Sequence, residues 1–237
     1  MAELGSGFAT CIRRVAIKPM KFEKLHLLKE NEPRTAAENM AVDETLLFTA
    51  DYPVLRSYGW IRPSVSFGYF TPWKEVVSQY AGQDLVRRWT GGGIVQHGVD
   101  FTYSLIFPAG KDLPGHGEIY RSVHLAIEKL LRKNGYPVEM ALLPDRVASG
   151  ACFEKAVEFD LKLQDEKIAG AAIRKNRKGL LLQGSIQRLK VPECFAAMLA
   201  SQLCEQVDVF ALSEPMIEKA VHIAQVKYAA AEWNCRV

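Results

Sequence analysis

The chain has 237 residues, 49% of them hydrophobic and 24% charged, a balance that suits a packed globular core and excludes a disordered or fibrous protein. Thirty Lys and Arg against 27 Asp and Glu leave a net charge of +3, too small an excess to argue for nucleic-acid binding by itself. No window approaches about 18 uncharged apolar residues and no apolar run follows a basic start, so no membrane span or secretory leader is expected and the chain reads as cytoplasmic.

Nothing repeats at a fixed period and no Pro/Gly/Ser-rich linker divides the sequence. That predicts one domain over 31–237 behind a loosely patterned extension over 1–30. Thr35 and Glu38 form a T-x-x-E capping box that opens a helix over about 36–50. Helical spacing puts Ala36, Met40, Asp43, Leu47 and Ala50 on one stripe, so Asp43 sits on a buried face and needs a partner, structural or at a site. VLRSYGW and SVSFGY read as neighbouring strands with Pro63 between them. After a short helix near PWKEVVSQY, the run LVRRW, three glycines, IVQH and FTYSLIF reads as strand, tight loop, strand. A helix over 118–134 carries Ile119, Val123, Ile127, Leu130 and Leu131 and ends at Gly135, where a left-handed cap is easiest.

VEFDLKLQ alternates most cleanly, predicting Val157, Phe159, Leu161 and Leu163 buried and Glu158, Asp160, Lys162 and Gln164 wet. KIAGAAI and GLLLQGSI continue it as strands joined through RKNRK, and residues 192–233 read as helices opened by Pro192. Clustered strands with helices between and after them predict an α+β fold with a mixed, mainly antiparallel sheet.

Three segments could carry chemistry. In RRWTGGGIVQHG, three glycines allow close backbone approach to a ligand and Arg87 and Arg88 add positive charge, or the glycines form a hairpin turn. The spacing fits neither a Walker loop nor a dinucleotide fingerprint. His97 either orients a ligand or is a satisfied strand histidine. The five cysteines, Cys11, Cys152, Cys194, Cys204 and Cys235, have no CxxC or zinc spacing, which fits a reducing compartment. Cys152 stands among small residues in SGACF, and Lys167 follows in the turn-like DEKIAG. A cation beside a thiol lowers its pKa and makes it a nucleophile at neutral pH; a buried cysteine and a solvated lysine are the alternative.

Taken in order, NMAVDETLL, LRSYGWIRPSVSFGYF, RRWTGGGIVQHGVDFTYSL, SGACF and KIAGAAIRKNRKGLLLQGSI resemble the biotin/lipoate protein ligase and octanoyltransferase family over residues 36–187. Within it they are most similar to the cysteine–lysine octanoyl/lipoyl transferase branch. The resemblance implies a mixed-sheet domain like that of class II synthetases and biotin/lipoate ligases, with a tunnel for a medium-length acyl chain. It implies Cys152 as nucleophile, Lys167 as the active-site lysine, Arg88, Gly91, Gly92, Gly93 and His97 as the acyl-binding loop, and Tyr103 and Ser104 as the strand beside it. Backbone N–H groups near Lys167 and Gly170 would help hold an oxyanion. Gly93 and Gly98 depart from the branch, which commonly carries GGR and an acidic residue after the histidine.

The implied reaction moves octanoate or lipoate from an acyl-carrier protein or lipoyl carrier to a lysine on the lipoyl domain of a 2-oxoacid dehydrogenase or on the glycine cleavage H protein. It needs no cofactor, metal or nucleotide and involves neither nucleic acid nor membrane. One alternative is an ATP- and Mg-dependent lipoate ligase; the chain's end after AEWNCRV leaves no room for the extra domain many such ligases use. Another is a paralogue that only binds carriers or acyl groups. Arg174, Lys175, Arg177 and Lys178 either dock acidic carriers or make a solvated turn.

Overall fold

The computed structural model describes residues 22–110, 115–142 and 156–236; Cys152 and the rest of SGACF lie outside them. In chain order the elements are β1 (Phe22–Lys29), α1 (Ala36–Thr49), β2 (Val54–Tyr58), β3 (Ser64–Phe67), α2 (Trp73–Gln79), β4 (Asp84–Arg87), β5 (Ile94–His97), β6 (Phe101–Pro108) and α3 (His116–Lys133). Next come β7 (Glu139–Met140), β8 (Leu161–Leu163), β9 (Glu166–Asn176), β10 (Gly179–Ile186), α4 (Phe195–Leu203), β11 (Cys204–Val209), α5 (Glu214–Ile223), a π-helical turn (Ala224–Tyr228) and α6 (Ala231–Asn234). Eight strands form one sheet in the order β11-β1-β2-β6-β10-β9-β8-β7, and β4-β3-β5 form a second. Only β1 pairs in parallel within the large sheet, with β11 and β2, so the α+β class with a mixed, mainly antiparallel sheet holds.

The two faces of the large sheet are covered by different helices. On one, Leu25, Leu105 and Leu182 meet Ile119, Val123 and Ile127 of α3 and Phe195 and Leu199 of α4. On the other, Val54, Ile106 and Leu181 meet Val42, Leu46 and Leu47 of α1 and Ala220 of α5. Each buried Val, Leu, Ile or Phe among them contributes about 1.5–3 kcal/mol. The α1 capping box forms as expected: Glu38 N–H donates to Thr35 Oγ1 (3.3 Å) and Thr35 N–H to Glu38 Oε2 (2.9 Å). No helix among the described residues is long and apolar enough to cross a membrane.

Four local expectations change. Phe22–Lys29, assigned to the extension, is an interior strand whose pairing with β11 and β2 is long-range. CEQVDV, expected to be helical, is its parallel partner β11, an edge strand whose polar residues face out. β2 and β3 belong to different sheets, because the turn after Trp60 redirects the chain. The glycine triplet is no hairpin: β4 and β5 flank β3 on opposite sides, and the loop crosses between them.

The alternation over 157–164 also fails. Phe159 takes φ +73° and Gln164 +56°, leaving Leu161–Leu163 as the strand. Val157 is 50% exposed and Asp160 fully buried. A backbone turn, with Asp160 N–H donating to Val157 O at 3.1 Å, rotates the acid inward, and what draws it there is Lys167.

Candidate active site around Lys167

A narrow cavity lies between the large sheet, α1 and the small sheet, walled by Met40, Tyr58, Trp60, Val95, Ala172 and Gly170 among others. Small residues on β9 and β10 (Gly170, Ala171, Ala172, Gly184, Ser185) leave its width. Lys167 stands at the Gly170 end: a Cβ added to Gly170 would lie 2.6 Å from Lys167 Cε, 2.8 Å from Nζ and 2.9 Å from Asp160 Oδ1. Lys167 is 6% exposed, not solvated, and its Nζ lies 2.8 Å from Asp160 Oδ2. That carboxylate also accepts the Val157 N–H (2.6 Å). Burial pushes Asp160 above the ordinary carboxylate range, and Lys167 only partly offsets it.

The arginines beside the glycines bond the protein's own groups, and Arg88 also lines the cavity. Arg88 donates to Ser66 Oγ (2.8 Å) and to the Gly91 (3.0 Å) and Gly93 (2.9 Å) carbonyls, so it shapes the loop. Gly92 has φ +87°, and its carbonyl packs so tightly on Gly68 that a Cβ there would come within 1.8 Å. Arg87 donates to the carbonyls of Tyr69 and Thr71 (2.8 Å each), Asn234 (2.9 Å) and Arg236 (2.8 Å), clamping residues 234–236 to the turn under the loop.

His97 lines the cavity. Its Nδ1 is 2.8 Å from Asp100 Oδ2 and its Nε2 2.6 Å from Ser66 Oγ, and its ring stacks on Trp60 at 4.0 Å. Asp100 is buried, which pushes its pKa up, yet bonds from His97, Ser185 and Gly98 hold it below the usual carboxylate range. Burial lowers the His97 pKa against the pull of Asp100, which favours the neutral ring with its proton on Nδ1. A histidine that must lose its proton to fold stabilises the protein above its unfolded value of about 6.5, and that stability is lost as pH falls below it. His124, fully buried and pushed to about 3, adds a second group of the same sign. Urea unfolding at pH 5.5 and 7.5 should therefore show stability falling toward acid, and His97→Gln should remove about half of the slope; an unchanged slope would mean that His97 is protonated when folded.

Tyr103 and Ser104 do not line the cavity. Tyr103 is buried under α3 with its ring over Gly184, where a Cβ would come 2.3 Å from Tyr103 Cζ. Ser104 donates to Asp43 Oδ2 at 2.5 Å, and Gln183, a cavity residue, donates to the same oxygen at 2.8 Å. Asp43 thus has its partners, chiefly Arg56 at 2.7 Å. The expected oxyanion donors are engaged: Gly170 lies opposite Ser185 and Lys167 opposite Lys162 in the ladders, while Ala171 N–H donates to Tyr120 Oη (3.0 Å).

Sequence reading passed over Asp160, Tyr120, Asp100, Ser66 and Gly68. Only Gly68, in a strand-like SFGYF, carried a signal, since a glycine in a strand pattern marks close backbone approach. In the basic turn, Arg174 donates to the Trp89 carbonyl (3.0 Å) and sits 4.7 Å from the Tyr69 and Trp89 rings, whereas Lys175, Arg177 and Lys178 are exposed. Seven residues of strand separate Arg174 from Lys167, ~23 Å. Among the described residues no His/Cys/Asp/Glu group could hold a metal.

A family model, the lipoyl protein ligase A/B catalytic domain, matches residues 35–189. The chain belongs to this family. The matched ligase A/B segment contains the glycine loop, His97, Cys152, Asp160, Lys167 and Gly170. Octanoyltransferase LipM of Kyrpidia tusciae is 34% identical over 183 residues, covering 70% of this chain and 66% of that protein, just under two thirds of the relative's length. A lipoate-protein ligase A structure bound with ATP superposes with a TM-score of 0.70 at 21% identity, covering 91% of this chain and 99% of that one. A bi-partite lipoate protein ligase of Thermoplasma acidophilum, solved in a study of it and its E2 lipoyl domain, gives 0.61 at 22% identity, covering 91% and 96%. The two structures share the ligase A/B fold with this chain.

Proposed function

We propose that this protein is an octanoyltransferase that moves a medium-length acyl group from a carrier thioester to the lysine of a lipoyl domain or H protein. The observation that carries the reading is the Lys167 amino group held against Asp160 at the Gly170 end of a narrow, largely apolar cavity, in a chain that resembles an octanoyltransferase at 34% identity.

The Cys152 thiolate attacks the acyl carbonyl, the C–S bond to the carrier breaks, and the departing thiolate takes a proton from Lys167. The ammonium also supplies positive charge to the oxyanion. In the second half, the acceptor lysine attacks the Cys152 thioester, an amide forms, and the surplus amine proton is relayed through Lys167 as the thiolate leaves. Activation arrives with the donor thioester, so no nucleotide, metal or resident cofactor enters. The ATP-dependent ligase is the second reading, favoured by Gly93 and by the fold shared with ligases.

Incubation with octanoyl-acyl-carrier protein without ATP should add one octanoyl group to the chain by intact mass. Cys152→Ala should abolish the adduct, and Cys194→Ala, at an exposed position, should leave it. Acylation of an apo lipoyl domain only with free octanoate or lipoate plus Mg-ATP would sink the transferase reading.

A further inference from the structure

β8 covers β9 only as far as Ala169, opposite Leu161, so the outer edge of β9 is not covered by β8 at Ala171. Tyr120 of α3 reaches that edge. Its hydroxyl accepts the Ala171 N–H at 3.0 Å and donates to Asp160 Oδ1, while the other Asp160 oxygen holds Lys167. One hydroxyl therefore joins α3, the edge of β9 and the turn before β8 around the ion pair. Phenylalanine could make the same ring contact with His124, 4.3 Å away, so packing does not account for the hydroxyl.

We propose that Tyr120 is a positioning residue: its hydroxyl keeps the Asp160 carboxylate ionised and aimed at Lys167, and so sets where the Lys167 amine meets the acyl thioester. The inference rests on the Lys167 chemistry proposed above. Burial raises the proton affinity of Asp160, and Lys167 and the Tyr120 hydrogen bond oppose it. Among the described residues, the other titratable groups facing the pair are Tyr103 of β6 and His124 of α3. Burial pushes Tyr103 well up and His124 down to about 3, so neither carries charge at neutral pH.

Tyr120→Phe should lower kcat about tenfold near neutral pH with KM for the acyl carrier within about twofold, and move the acid limb of the kcat profile up by about one pH unit, the size of a lost hydrogen bond to a charged group. A measurement independent of transfer is the rate at which an amine-directed acylating reagent labels Lys167, read by peptide mass spectrometry. With Asp160 more readily protonated, the Lys167 amine is held less firmly against it, and Tyr120→Phe should label several-fold faster at pH 7. Tyr136→Phe, which removes a hydroxyl donating to the Lys190 carbonyl, should change neither. 3-Fluorotyrosine at position 120, a stronger donor of similar shape, should move the acid limb down, and it decides the matter if the Phe variant does not fold. Wild-type kcat, pH profile and labelling in Tyr120→Phe would overturn the proposal, as would a change in KM alone. Faster Lys167 labelling in a protein without transferase activity would uphold the positioning role and reject the functional reading instead.

Discussion

Lys167→Ala should lower the rate of acyl transfer by about 10³-fold, within the range of general acid–base catalysis, and should also destabilise the fold in a pH-dependent way. A solvated lysine would leave stability unchanged, but Lys167 is buried against Asp160, and removing one partner of a buried pair costs about 3–5 kcal/mol when the other stays charged. Asp160 has a way out, because its pKa already lies above the ordinary range and rises further without the lysine. A carboxyl whose folded pKa is raised contributes stability below its unfolded value of about 3.9 and loses it as pH rises. The deficit of Lys167→Ala should therefore be smallest near pH 5 and largest near pH 8. Urea unfolding at both values measures it, and a deficit independent of pH would mean that Asp160 is not left as a buried charge. Single-turnover transfer at the permissive pH separates the loss of chemistry from the loss of structure.

Asp43→Ala should be the most damaging change away from Lys167. Arg56, fully buried, donates to Asp43 Oδ1 (2.7 Å), to the Asn39 carbonyl (2.9 Å) and to Asn39 Oδ1 (2.7 Å), and its Nε to Glu30 (2.6 Å). Removing Asp43 leaves that guanidinium undercompensated and strips Ser104 and Gln183 of their acceptor. A loss of about 3–5 kcal/mol takes a large share of a typical stability of about 5–15 kcal/mol and should lower Tm by about 10 °C. The double variant Arg56→Met with Asp43→Leu should recover part of it, since the main penalty is an unpaired buried charge. If Asp43→Ala melts within about 2 °C of wild type, the network does not support α1 over the sheet. Gln183 links this network to the cavity wall, so acyl binding should weaken along with stability.

What was legible in the sequence is what short-range chemistry decides. The capping box at Thr35 and Glu38, the apolar period of α3 and its Gly135 cap (φ +88°), and the β9–β10 hairpin all follow from residues a few positions apart. Asp43 on a buried stripe announced that it needed a partner, but its arginine is thirteen positions away on another element and no local pattern names it. Asp160 misled for the opposite reason. Strict alternation placed it in water, whereas a positive-φ turn at Phe159 rotates it against Lys167, and a tertiary ion pair outweighs a two-residue period. The glycine triplet was rightly singled out as permissive backbone, but the carbonyls that its preceding arginines meet lie up to 149 positions away, and no local pattern names them. Cys152 and Lys167 stood out locally but owed their roles to the family resemblance, and Cys152 lies outside the described residues.

The clamp formed by Arg87 also bears on the order in which the chain folds. The turn at Tyr69 and Thr71, on which the glycine loop rests, shares one guanidinium with residues 234 and 236. Contacts so far apart in sequence are reached late, because a long loop must close before they offer any return. The β9–β10 hairpin can therefore form early, whereas the turn under the glycine loop, like the β1–β11 pairing, waits for the C-terminal residues. The cavity beside the glycine loop is thus expected to close only once residues 234 and 236 have docked.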